Sequence, residues 1–160
     1  MYPLDPILLT IEDQLIGGSY IILAAFMSTL IGLDRERNQK SAGLRTHMLT
    51  GVAACLFTLL SLHAFPYADT SRVASNVVTG IGFLGAGIII QRKRLAHDLT
   101  TAVSIWVTAA IGMAIGAGLW LIATIATLVV WFILAVIRKM KSDDDFDDQL
   151  ISEETAVTSS

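Results

Sequence analysis

The sequence predicts an all-α integral membrane protein: a bundle of five transmembrane helices with the N-terminus outside and the C-terminus in the cytoplasm. Three observations predict it. The 160 residues are 54% hydrophobic and only 16% charged, with a mean hydropathy of +0.65, which leaves too little polar surface for a soluble domain of this length. A bilayer core takes about 20 predominantly apolar residues per helix, and runs of that size fall at 15–33, 48–65, 73–91, 99–117 and 119–137. Lysine and arginine resist translocation and collect in short cytoplasmic loops. Of the 11 in the chain, all but Arg72 lie in the segments that follow the first, third and fifth runs.

Residues 1–14 contain no lysine or arginine, so the basic region of a cleaved signal peptide is missing and the first run is expected to stay in the mature protein. Within them and just beyond, Ile7, Leu8, Ile11 and Leu15 repeat at helical spacing opposite Asp5, Glu12 and Asp13, which predicts a short amphipathic helix on the outer surface. The first run ends against Gly32-Leu33-Asp34-Arg35-Glu36-Arg37. The second holds Cys55, the single cysteine, so there is no disulfide framework. The third carries Asn76 and a cluster of glycines. Asp98 is placed to cap the fourth, its carboxylate accepting from free amides at the positive end of the helix dipole. Within that fourth run Thr100, Ser104 and Thr108 recur every four residues, and Gly112 and Gly116 continue the row as a small-residue face. A tight Gly116-Ala117-Gly118 turn leads to the fifth run, which has no ionisable residue between Leu119 and Ile137. Domain 15–141 is thus the transmembrane bundle, and 142–160, rich in Asp, Glu, Ser and Thr, reads as an acidic disordered cytoplasmic tail. The net charge of −3 comes largely from that tail, and no basic patch suggests nucleic-acid binding.

Three stretches carry chemistry. The first is the charge cluster Asp34, Arg35, Glu36, Lys40, Arg45 and His47 between the first two runs. It is either a charged collar that stops a helix at the interface or a functional site, because ionisable groups placed directly against hydrocarbon are expensive unless they are paired or line a wet cavity. The second is Arg72, Asn76 and then Gly80, Gly82, Gly85 and Gly87. The glycines satisfy G-x-G-x-x-G, but a dinucleotide site needs a preceding strand and a βαβ unit, so nucleotide binding is excluded. In a membrane they indicate close helix packing or a break whose freed carbonyls line a polar cavity. Asn76 shares a face with Gly80 and is expected to hydrogen-bond within the bundle, with the third helix at its centre. The third stretch is the hydroxyl stripe beginning at Thr100, Thr101 and Ser104. No nucleophile with a matching base and no clustered metal ligands occur, so no enzymatic activity and no cofactor are expected, and a metal site is left undefined.

These motifs closely resemble the membrane domain of the MgtC/SapB family. The resemblance rests on Gly32-x-Asp34-Arg35-Glu36, on Lys40-x-Ala42-Gly43-Leu44-Arg45-Thr46-His47, on Arg72 followed by Gly80-Ile81-Gly82-Phe83-Leu84-Gly85-Ala86-Gly87, and on Leu99-Thr100-Thr101-Ala102 with Trp106, Ala109-Ala110 and Gly112. Asp98 departs from it where a glycine is expected, Val103 where an alanine is, and Asn76 where glutamine is frequent. With five helices and a tail the chain looks like the short SapB-type members. The resemblance implies a multi-pass protein of the bacterial inner membrane linked to adaptation to low magnesium and, in pathogens, to virulence. It also implies a regulatory module acting through other membrane proteins, the F-type ATP synthase among them; the homo-oligomer expected in the lipid bilayer rests instead on the glycines of the third run, which would sit at its centre. The alternative is a small ion-translocating protein for Mg²⁺ or H⁺ that uses Asp34. Mg²⁺ is the one candidate cofactor that the resemblance brings in.

Overall fold

The computed structural model describes residues 10–64, 69–91 and 95–137, with the side chains of residues 91, 95–98, 136 and 137 excepted. The expected outer segment before residue 10, the basic loop Arg92-Lys93-Arg94 and the acidic tail lie outside the described residues. Five helices follow in order: α1 Ile11–Arg37, α2 Leu44–His63, α3 Ser71–Gln91, α4 Leu95–Gly116 and α5 Trp120–Phe132, the last running into a π-helical turn, Ile133–Ile137. Four of them are long and apolar enough to cross a membrane, and α5 is shorter.

Each terminus has a local cause. Thr10 caps α1, its hydroxyl accepting from the Asp13 amide at 3.3 Å while the Asp13 carboxylate accepts from the Thr10 amide at 3.1 Å, a reciprocal capping box that uses Asp in place of Glu. The helix therefore begins at Ile11, and Ile11 to Gln14 continue the long first helix instead of forming a separate surface element. At its 27 residues it reaches about 40 Å, longer than a hydrocarbon core of ~30 Å. Asp98 is not an N-cap, since α4 already starts at Leu95 and Asp98 sits inside its first turn. The α4–α5 corner is a Schellman turn: the Leu119 amide bonds the Ala114 carbonyl at 2.8 Å and the Gly118 amide the Ile115 carbonyl at 2.9 Å. Gly118 takes φ +80° there, the left-handed value that glycine adopts without strain.

The helices run up and down, so the end of α1, the starts of α2 and α4 and the end of α5 share one end of the bundle, called here the charged end. The packing centre is α4, which touches the other four helices. In its most apolar window 56% of residues are buried, against 6% for α3. The expectation of a central third helix is thus overturned: α3 is peripheral and packs mainly on α4. Close approach comes from other glycines. A Cβ on Gly112 would run into the Gly51 backbone, one on Gly51 into the Ser28 hydroxyl, and one on Gly116 would come within 2.6 Å of the Cys55 carbonyl oxygen. These small residues let α1, α2 and α4 meet backbone to backbone, where dispersion replaces the hydrophobic drive that lipid does not supply. Ala24, Ile31, Cys55, Ile111, Ile115, Ala123 and Leu134 fill the core around them.

Candidate functional site: a buried polar belt at the charged end

Arg35 lies on the inward face of α1, one turn after Ile31, and is only 2% exposed. A buried guanidinium needs a counter-charge and hydrogen-bond acceptors, and it finds both. Its Nε donates to Asp34 Oδ2 at 3.0 Å and its Nη2 to the same oxygen. Nη2 also reaches the Leu134 carbonyl of the π-helical turn at 3.5 Å, so the residue joins the end of α1 to the end of α5. Asn38 Nδ2 donates to Asp34 Oδ1 at 3.2 Å. Asp34 is therefore held from both sides within this ion pair, with a side chain 9% exposed.

Glu36 has a separate task. Its Oε2 accepts from the Leu44 amide at 2.8 Å, capping α2, whose own N-cap residue Gly43 offers no side chain. A Cβ on Gly43 would collide with that carboxylate, which accounts for a glycine at this position. Lys40 lies in the connecting loop, its amide bonded to the Arg35 carbonyl at 3.1 Å, and Arg45 points outward from the first turn of α2.

His47 is fully buried and bridges two helices. Its Nδ1 is 2.9 Å from the Gly43 carbonyl, an acceptor only, so this nitrogen carries the proton. Nε2 lies 3.0 Å from Ser104 Oγ on α4, and that hydroxyl is also 2.8 Å from the Thr101 carbonyl. In the neutral ring Nε2 accepts from the serine, whose single proton is shared between imidazole and carbonyl. Thr108 continues the row, its hydroxyl donating to the Ser104 carbonyl at 2.8 Å. Of the predicted stripe, Ser104 and Thr108 are buried, Thr100 is exposed, and Thr101 is buried in its place. The hydroxyls of Thr101 and of Ser28, a residue that no sequence motif singles out, are buried without a partner among the described residues.

The structure thus assembles Asp34, Arg35, His47, Thr101 and Ser104 into one belt and leaves the helix 3 residues out of it. Arg72 is exposed at the opposite end, its amide bonded to the Asp69 carbonyl at 3.2 Å. Asn76 is exposed and lines a groove between α2 and α3, so the internal hydrogen bond expected of it is not made among the described residues. Among the described residues Gly80, Gly82 and Gly87 have nothing within 4 Å of a built Cβ, and of the four only Gly85 packs, 3.5 Å from Ala102 Cβ. Three of the four glycines read as packing residues therefore face out of the bundle. Among the described residues no three His, Cys, Asp or Glu side chains come together as a metal site. The Leu134 carbonyl and the Gly51 crossing were missed; the Ser28–Gly32 and Gly112–Gly116 spacings were the available signal for the second.

The order of motifs along α1 to α4 has a match beyond this chain: the model of the MgtC family covers residues 21–143. The chain belongs to the MgtC family. It is 41% identical to YhiD of Escherichia coli (strain K12) over 128 residues, 75% of this chain and 60% of that protein. Identity is 36% with SrpB of Synechococcus elongatus, over 81% of this chain and 80% of the relative. It is 38% with MgtC of Brucella abortus (strain 2308), over 73% and 49%. This MgtC-family chain therefore spans about three fifths of YhiD and half of that MgtC. No solved structure was found to match it.

Proposed function

We propose that this protein is a regulatory module of the bacterial inner membrane in adaptation to low magnesium, working through helix contacts with other membrane proteins, the F-type ATP synthase among them. The observation that carries the reading is the division of surfaces. The polar belt is turned inward, with Asp34 paired to Arg35 and His47 to Ser104, while α3 is held on one side and offers nearly all its surface outward, with 6% of its span buried. A helix of that kind, with Ser75, Thr79, Gly82 and Ala86 exposed along its outer face, suits packing against another membrane helix. Inverted membrane vesicles from magnesium-limited cells test it. The parent chain is expected to lower the rate of ATP synthesis, and a Thr79→Leu, Gly82→Leu variant to lose that effect while inserting and melting normally. An unchanged effect would remove α3 from the reading.

A second reading, ion translocation, is favoured by the Asp34–Arg35 pair in the bundle interior and by YhiD, which is provisionally named a magnesium transporter. Its test is Mg²⁺ and H⁺ flux in proteoliposomes. Flux lost in Asp34→Asn would select it over the regulator.

A further inference from the structure

Between α2 and α3 runs a groove of about 800 Å³, open to the side. Its α2 wall includes Thr50, Ala53 and Phe57, and its α3 wall Asn76, Gly80 and Leu84. Both walls belong to helices long and apolar enough to cross a membrane, and a space of this size between such helices is filled by lipid or by another helix. Arg45 and Thr46 line it as well, and two further polar groups along its walls decide what fits there. The Thr50 side chain, 8% exposed, lines the groove and makes no hydrogen bond among the described residues. The Asn76 amide, on the facing helix, makes none either. An acyl chain has nothing to give either group, and an unpaired amide in lipid is costly. A protein helix that brings an amide to Asn76 can satisfy the costlier of the two.

We propose that the groove is the self-association surface of this protein, and that its occupant is α3 of a second copy. Two copies inserted in the same direction are related by a two-fold axis along the membrane normal. Their α3 helices then meet in parallel, and Asn76 stands at the same depth as the partner's Asn76. An amide carries both donor and acceptor, so the pair is self-complementary and closes both without help from another residue type. Gly80 follows one turn later on the same face with nothing within 4 Å of a built Cβ, leaving room for a second backbone at the crossing. The same contact supplies α3 with the packing that its own bundle withholds. This proposal uses the groove face of α3 and not the outer face through Thr79 and Gly82, so it stands or falls apart from the regulatory reading.

Oxidative cross-linking in native membranes tests it. In a Cys55→Ala background, which removes the single cysteine, Gly80→Cys and Leu84→Cys are expected to form disulfide-linked dimers. A Leu128→Cys control on the outside of α5 is not. In liposomes, energy transfer between labelled copies should report a dimer whose dissociation constant rises about ten-fold in Asn76→Leu, the scale of one interhelical hydrogen bond. Gly80→Leu should weaken it as well while keeping the melting temperature of the monomer, since the added side chain enters open space. Three results would overturn the proposal: a monomer at every protein-to-lipid ratio that retains phospholipid in native mass spectrometry, cross-links to a different protein without homodimer, or a dimer indifferent to both substitutions.

Discussion

A guanidinium in the interior of a membrane bundle is tolerated only through its neighbours, and for Arg35 the decisive neighbour is Asp34. Removing one member of a buried pair leaves an uncompensated charge and costs about 3–5 kcal/mol, whereas replacing both by apolar groups of similar size is often close to neutral. Asp34→Ala is therefore expected to lower the unfolding free energy in detergent by about 3–5 kcal/mol, and adding Arg35→Met should restore most of it. A double variant as unstable as the single one would mean that the pair does not act as a unit. At the other pole of the belt, Ser104→Ala leaves the buried His47 Nε2 without a partner and should cost about 1–3 kcal/mol. Thr100→Ala, on the exposed side of the same helix, should cost about 0.5 kcal/mol or less; thermal unfolding of the two compares them directly. The cluster itself was legible, because ionisable residues against an apolar run stand out. Its division of labour was not. Asp34 serves Arg35, Glu36 caps α2, and the partner of His47 stands 57 residues away, beyond what any local periodicity records.

At the scale of the helix, the two glycine rows look alike in sequence and behave oppositely in the fold. Alanine at Gly80, Gly82 or Gly87 meets open space and gains up to about 1 kcal/mol of helix propensity, so these variants should melt with the parent or above it. Alanine at Gly112 or Gly116 drives its methyl into the backbone of α2 and should lower the melting temperature or force α2 and α4 apart. Equal melting of both sets would contradict the α2–α4 crossing. The start of α3 carries a pH dependence of its own. Asp69 Oδ1 accepts from the Ser71 amide at 2.9 Å and from its hydroxyl at 2.6 Å, and these bonds hold its carboxyl below the ordinary value. A depressed native pKa contributes stability that is present above the unfolded value and lost as pH falls through the native one. The hydrogen-exchange protection factor in the first turn of α3, taken relative to the intrinsic rate at each pH, is thus expected to fall on acidification below the usual carboxylate range, and Asp69→Asn should show the lower protection already near neutral pH.

For the whole molecule the orientation is a matter of charge, and the count of lysines and arginines predicts the charged end inside. A reporter active only in the cytoplasm should work when fused after Lys141 and fail when placed in the segment Pro66 to Ser71; the opposite pattern would invert the protein. The sequence by itself determined the number of helices, their placement to within a few residues, the charged end and the family. It could do so because hydrocarbon demands apolar runs of set length with every backbone group bonded internally, a constraint that each segment meets alone. Which helix sits at the centre was decided only by the tertiary structure. Lipid and a neighbouring helix are equally apolar, so a glycine or alanine carries no mark of which one it will face. The choice of α4 over α3 follows from backbones that come close enough at Gly51, Gly112 and Gly116 to exclude any side chain, and that complementarity exists between segments, not within one.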